Sequence, residues 1–288
     1  MTSPLIKGGQ MTSQQSRHET GFLDLDGTRL YYEVGGSGLP ILLLHAGIGD
    51  SRMWDVLFAE WSQSYRVIRC DMRGFGRTEL AGGEFSDHGD LERLLDHLSV
   101  DRAVVVGPSY GGQVALDLAL ASTTRVLALV LVSPNVSGWP PPGELKSFAK
   151  EEGEALDDKD LDAAVALNVR TWVDGPHRGI DVVNPKVREA VATMQRQVFE
   201  MEIPKGFAPH DLEPAAWGRL KEIDVKTLVL AGDLDLACFQ QLAAHVADSL
   251  PNASLVTLPA VAHVPFMEAP EAFGAAVRSF LDECAHAP

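Results

Sequence analysis

Short uninterrupted apolar runs alternate along this chain with longer stretches in which apolar residues recur every three or four positions. Pro40-Ile-Leu-Leu-Leu-His45, Ala103-Val-Val-Val106 and residues 126–132 and 227–231 belong to the first type, the pattern of a strand buried on both faces. Residues 65–70 and 254–258 read as two further strands. Leu91, Leu94, Leu95 and Leu98 fall at i, i+3, i+4 and i+7, the spacing of an amphipathic helix. Residues 53–61, 110–121, 239–250 and 270–284 also read as helices. At the start, residues 21–33 predict two short strands around Asp26-Gly27, a strong hairpin signal. Apolar strands alternating with helices predict an α/β fold: a mostly parallel sheet with helices on both faces, made mixed by the opening hairpin.

One stretch breaks this rhythm. Residues 134–221 carry no strand pattern, open with the punctuation Pro140-Pro-Pro-Gly143, and contain helix-like segments at 160–173 and 185–201. That is too long for a simple loop. It is expected to be a helical cap over one end of the sheet, with residues 21–133 and 222–288 forming the core. The polar residues 1–20 lack the apolar centre of a secretory signal and are expected to be a disordered leader or the remnant of an added tag.

Composition narrows the function classes. The 288 residues are 45% hydrophobic and 22% charged, as in globular proteins, and carry a formal charge of −16. An acidic balance argues against nucleic acid and anionic membrane surfaces as partners, since both attract Lys/Arg-rich faces. No apolar run approaches the ~20 residues of a membrane-spanning helix. Cys70, Cys238 and Cys284 form no CxxC pair, so neither a disulfide framework nor a zinc site is expected. The expectation is a cytoplasmic monomer or homodimer.

The sharpest chemical signal is Gly107-Pro108-Ser109-Tyr110-Gly111, a GxSxG between a predicted strand and a predicted helix. Glycines permit a turn so tight that the serine hydroxyl stands clear of the sheet, and the following helix aims its free N–H groups at it. An ordinary helix-capping serine is the alternative. A serine hydroxyl needs a base to take its proton and an acid to orient that base.

Nine histidines compete for the base. His263 lies in a loop between the last strand and the last helix, where parallel sheets place ligands. His18 and His286 fall in expected tails, His97 and His245 inside helices, and His88, His177 and His210 in no motif. The acid is expected at Gly232-Asp233-Leu234-Asp235, with Asp235 placed to fold back to the imidazole and Asp233 to tie down the turn. Backbone N–H groups must face the developing oxyanion. Tyr110 supplies one, and the turn Ala46-Gly47-Ile48-Gly49 the other, with Gly47 chosen over Ile48. His45 is expected to brace that turn.

Together with Asp71-Met-Arg-Gly-Phe-Gly76 and Ala262-His263-Val-Pro-Phe-Met-Glu268-Ala-Pro270, these residues resemble the α/β-hydrolase superfamily over nearly everything from residue 21 onward except the insertion. Within it the sequence looks most like the small-cap esterase and enol-lactonase group. The resemblance implies an eight-stranded sheet with the cap inserted after the sixth strand. Serine at 109, where haloalkane dehalogenases and epoxide hydrolases carry aspartate, points away from alkyl-enzyme chemistry. The His-Gly-Gly-Pro-Gly signature of proline iminopeptidases is absent.

The expected activity is hydrolysis of a small-molecule ester or lactone through an acyl-enzyme on Ser109, with no metal or organic cofactor. Trp139, Trp172, Phe199 and Trp217, in or beside the cap, together with Ile48 and Val264, are candidate pocket residues, though the aromatics can equally hold the cap onto the core. The same triad also serves perhydrolase or haloperoxidase chemistry, carbon–carbon bond hydrolysis, and ligand receptors of this fold.

Overall fold

The structure, a computed structural model, describes residues 18–285. A hairpin, β1 (His18–Leu25) and β2 (Thr28–Gly35), turns at Asp26-Gly27 and is followed by β3 (Pro40–Leu43), α1 (Asp55–Trp61) and β4 (Arg66–Cys70). A short β5 (Gly83–Phe85) precedes α2 (Asp87–His97), β6 (Ala103–Pro108), α3 (Tyr110–Ala121) and β7 (Val126–Val132). The insertion then runs through α4 (Gly143–Asp157), α5 (Leu161–Asn168), α6 (Pro185–Phe199) and a short β8 (Phe207–Pro209). The chain returns to the sheet with β9 (Thr227–Gly232), α7 (Ala237–Ser249), β10 (Ala253–Leu258), the one-turn α8 (Pro265–Glu268) and α9 (Pro270–Ala285).

Eight strands form one sheet in the order β1-β2-β4-β3-β6-β7-β9-β10. All neighbours from β4 to β10 are parallel, and the pairs β1–β2 and β2–β4 are antiparallel, so the sheet is mixed as its opening hairpin predicts. Ile41, Leu42 and Leu43 of β3 pair with Val67, Ile68 and Arg69 on one side and with Val104, Val105 and Val106 on the other. Of these, every residue but Arg69 is wholly excluded from solvent, which is why the strands read as unbroken apolar runs. Each such side chain contributes about 1.5–3 kcal/mol by leaving water. The cap follows β7, the sixth strand of the sheet, and helices flank the sheet.

Three details differ from the sequence expectation. β1 begins at His18, inside the stretch 1–20 set aside as a leader, because residues 18–20 pair with Glu33, Val34 and Gly35 of β2; residues 1–17 lie outside the described residues. The insertion is not free of strand, since β8 pairs in parallel with β5 in a separate two-stranded sheet. Three-residue strands are too short to show alternation. Finally, α5 runs into a π-helix, Val169–Asp174, where helical periodicity alone predicts a regular helix.

Every parallel strand ends at the same edge of the sheet. There β3 delivers His45 to Gly47, β6 delivers Ser109, β7 delivers Ser133, β9 delivers Asp235 and β10 delivers His263. Sites in open α/β sheets form at this carboxyl edge, and the insertion leaves the sheet from it.

Candidate active site

Ser109 occupies the turn between β6 and α3 with φ 48° and ψ −114°, a backbone region that costs a residue with a side chain about 1–3 kcal/mol. Close packing holds it there. A Cβ on Gly107 would come within 2.2 Å of the Gly111 carbonyl oxygen, and one on Gly111 within 2.6 Å of that of His45. The Ser109 carbonyl accepts from the N–H groups of Gln113 and Asn135 (3.1 and 2.9 Å), which fixes the turn from both sides.

His263 is buried, and its Nδ1 lies 2.8 Å from Oδ2 of Asp235. That contact makes Nδ1 the protonated nitrogen and leaves Nε2 as the basic one. Nε2 is buried without a hydrogen-bond partner among the described residues. Ser109 and His263 line one cavity of about 320 Å³, together with Gly47, Ile48, Trp172 and Phe199. Asp235 is held in turn: the Ser133 hydroxyl donates to Oδ2 (2.7 Å) and the Leu236 N–H to Oδ1 (2.7 Å). Asp233 ties the turn, its Oδ1 accepting from the Ala260 N–H at 2.7 Å.

The imidazole also packs against two rings that touch each other. Trp172, from the π-helix, has its ring centroid 4.8 Å away, and Phe239 of α7 approaches edge-on at 4.6 Å. Phe148 of α4 meets Trp172 edge-on at 5.1 Å. Two of these residues come from the cap and one from the core, so the cap is packed directly against the candidate base.

The turn after β3 is braced as expected. His45 is wholly buried; its Nδ1–H donates to the Ala46 carbonyl (2.9 Å) and its Nε2 accepts from the Met72 N–H (3.0 Å). Burial pushes its pKa down, so the ring stays neutral and fits this donor-acceptor pair. Gly47 faces the start of α3, with a Cβ there only 3.5 Å from the Tyr110 Cβ. The first N–H groups of α3 have no partner inside the helix. The Tyr110 hydroxyl donates to Asp87, whose carboxyl is pushed up to about 6 chiefly by burial, despite that bond. Burial and the same carboxylate raise the Tyr110 phenol, which keeps its proton.

Two further cavities flank Ser109. One, of about 870 Å³, is bounded mainly by apolar side chains, among them Phe75, Leu80, Leu161, Val198 and Phe199, and reaches Gly47 and Tyr110. The other, of about 380 Å³, is more polar, with Ser109, Gln113, Asn135, Ser137, Trp139 and Asp211 in its wall.

Of the expected pocket residues, Ile48, Trp139, Trp172 and Phe199 line these spaces. Two do not. Trp217 lies over His245, ring centroids 4.6 Å apart, and its backbone N–H donates to the Ser137 carbonyl, so it secures the return of the chain from the cap. Val264 is wholly buried beneath the histidine loop, where its carbonyl accepts the first N–H groups closing α8. Among the other histidines, His97 bonds the Tyr32 hydroxyl and His18 bonds Glu33 in the hairpin; His286 lies outside the described residues.

Ser133, Phe148 and Phe239 escape the sequence reading. A polar residue directly after the apolar run 126–132 was the available signal for Ser133, since that position is a strand's carboxyl end. Phe148 and Phe239 carry no signal, being ordinary apolar positions on amphipathic helices.

A family model described as the alpha/beta hydrolase family matches residues 41–276. The chain belongs to that family. It is an α/β-hydrolase-fold enzyme of the serine-hydrolase type. It is 28% identical to a pimeloyl-[acyl-carrier protein] methyl ester esterase of Nitrosospira multiformis, over 87% of this chain and 97% of that one. A non-heme haloperoxidase of Rhodococcus erythropolis is 31% identical over 83% of this chain and 90% of that protein. Among solved structures, an N-acyl homoserine lactone degrading enzyme superposes on this α/β hydrolase with a TM-score of 0.72 at 28% identity, covering 90% of this chain and all of that one.

Proposed function

We propose that this α/β hydrolase cleaves a carboxylic ester or lactone through an acyl-enzyme on Ser109. One observation carries the reading: a strained serine at a strand-to-helix turn shares a cavity with a buried histidine whose other nitrogen is bonded to Asp235. Ser109 Oγ attacks the carbonyl while His263 Nε2 takes its proton, then returns it to the leaving alcohol. Asp235 holds the imidazole in the Nδ1–H tautomer and stabilises the imidazolium. The N–H groups of Tyr110 and of Gly47 receive the oxyanion, each worth about 2.7–4 kcal/mol in the transition state. Water activated by His263 then releases the acid.

The cavities support a substrate class. The large apolar space beside Gly47 and Tyr110 suits an extended apolar acyl portion, and the smaller polar space suits the alcohol or ring oxygen side. The relatives named for a methyl ester and for an N-acyl homoserine lactone support an ester or a lactone as the substrate. Free cysteines at 70, 238 and 284 support a reducing compartment, and we place the enzyme in the cytoplasm.

The test is covalent labelling with a fluorophosphonate, followed by turnover of p-nitrophenyl esters of increasing chain length. Wild type should be labelled and active, with preference for longer acyl chains; Ser109→Ala should be folded, unlabelled and inactive. Retained turnover in Ser109→Ala sinks the mechanism. Labelling without turnover of any ester moves the reading to a ligand receptor. The haloperoxidase relative favours one second reading, in which peroxide replaces water at the acyl-enzyme. Peracid formation that outpaces hydrolysis in hydrogen peroxide would establish it.

A further inference from the structure

Arg178 lies in the cap between the π-helix and α6, yet its side chain is almost wholly buried against the core. Its Nε donates to the Asp174 carbonyl (2.7 Å) and its Nη2 to the Val173 carbonyl (2.6 Å), which grips the end of the π-helix that carries Trp172. Its Nη1 reaches across to the core, donating to Oε2 of Glu268 (2.5 Å) and to the Ala260 carbonyl (3.2 Å). The other Glu268 oxygen accepts from the N–H of Ala262, the residue before His263, at 2.9 Å. One ion pair thus runs from the cap to the peptide unit beside the candidate base.

Neighbouring contacts run along the same path. Gly175 sits where a Cβ would meet the Leu234 carbonyl oxygen at 2.7 Å and the Ala262 Cβ at 3.0 Å, so the cap backbone is wedged between the loops that carry Asp235 and His263. Ala260, at φ 61°, is held in the left-handed region by Asp233 on its N–H and Arg178 on its carbonyl. Asp174 is wholly buried and paired with Arg188 of α6 (2.7 and 3.1 Å), which stiffens the cap end of the link.

We propose that Arg178 and Glu268 are positioning residues: their ion pair couples the seat of the cap to the orientation of His263. The chemistry favours this over a simple packing role. Neither side chain lines the cavity that holds Ser109, so neither touches substrate; both act on backbone groups whose placement sets the imidazole. Trp172 and His263 sit at the two ends of the same hydrogen-bonded path and are in ring contact with each other. A cap seated correctly on its substrate therefore holds the base in line with Ser109, and a cap displaced from the core releases it. The inference rests on the serine-hydrolase reading for its kinetic readout alone.

The experiment compares Arg178→Met, Glu268→Leu and the double variant by denaturant midpoint, ester kinetics, and the low-field proton signal of the His263–Asp235 hydrogen bond. Each single variant leaves one buried charge unpaired, so both stability and kcat should fall, kcat by about 10–100-fold with KM nearly unchanged, as for a catalytic group displaced by up to an ångström. The double variant removes both charges and should regain stability without regaining kcat or the wild-type proton signal. Recovery of kcat together with stability, or an unaltered low-field signal in the double variant, overturns the proposal.

Arg178→Lys serves where the larger changes do not fold. It keeps the charge but loses the fork to Val173 and Asp174, and the same low kcat is expected; a wild-type kcat there also overturns the coupling. Failure of the enzymatic reading is separately visible, because the wild type would then resist fluorophosphonate while the proton signal would still report the link.

Discussion

Helices α3 and α4 show how differently the two parts of this molecule are built. In α3, residues 111–120 are all buried, pressed between the sheet and its neighbours behind the candidate nucleophile. In α4, no residue is fully buried, and Leu145 and Phe148 are only half-covered where they face the core. The first helix is packed on all sides directly behind the strained turn of Ser109. The second contributes Phe148 to the wall beside Trp172 and rests on α5 without a fully buried residue of its own. Burial is densest behind the candidate nucleophile and thinnest on this helix of the cap.

The contrast can be broken by mutation at graded cost. The largest effect belongs to the triad: Ser109→Ala should lower kcat about 10⁶-fold in steady-state ester kinetics with an unchanged circular dichroism spectrum. Asp235→Asn should follow at about 10⁴-fold, because Ser133 and Leu236 still hold the side chain while the tautomer of His263 is wrong. If Asp235→Asn proves nearly silent, Asp233 or another carboxylate is the orienting acid.

Within the core helix, Leu116→Ala removes a wholly buried side chain and should cost about 2–5 kcal/mol in urea unfolding. A loss below 1 kcal/mol would mean that α3 is no more tightly held than the cap. Next comes Asp117 of the same helix, buried against Ser137, whose carboxyl burial raises from 3.8 to about 6. A carboxyl raised on folding favours the folded state below its unfolded pKa, and that stabilisation is lost as pH rises through the folded one. Wild-type stability from this group should therefore decline between about pH 4 and pH 6, by up to about 3 kcal/mol. Asp117→Asn should flatten that decline and exceed wild type at pH 8; a pH profile unchanged by the substitution would refute the assignment.

The smallest effect is expected in the cap. Phe148→Ala should leave the unfolding midpoint almost unmoved, while kcat/KM for esters of bulky alcohols shifts roughly tenfold relative to methyl esters, because Phe148 lines the smaller space on the alcohol side. A large stability loss there would erase the distinction between the two helices.

The legibility of the chain follows the same division. Motifs in the core could be read because their constraints are largely local: Gly107 is demanded by the Gly111 backbone four residues on, and Asp233 and Asp235 follow a strand whose burial shows as an unbroken apolar run. Trp217 and Val264 lie apart from the walls of the cavities around Ser109, and the sequence is silent on this because an aromatic or apolar type says that a side chain is covered, not by what. Ser133 was legible in principle from its place after β7, but only the folded chain brings it to Asp235, 102 residues away in sequence.

By itself, then, the sequence determined the mixed sheet and the inserted cap, and it singled out Ser109, Asp235 and His263 as candidates, since periodicity and turn chemistry act over a few residues at a time. Tertiary structure alone decided the rest. It packed Trp172 and Phe239 against the imidazole and against each other, opened an apolar cavity beside Gly47 and Tyr110 and a polar one at Ser109, and joined Arg178 to Glu268 across 90 residues. Each depends on packing between segments remote in the chain, and the energy of such contacts is set by distance and burial, which no local pattern records.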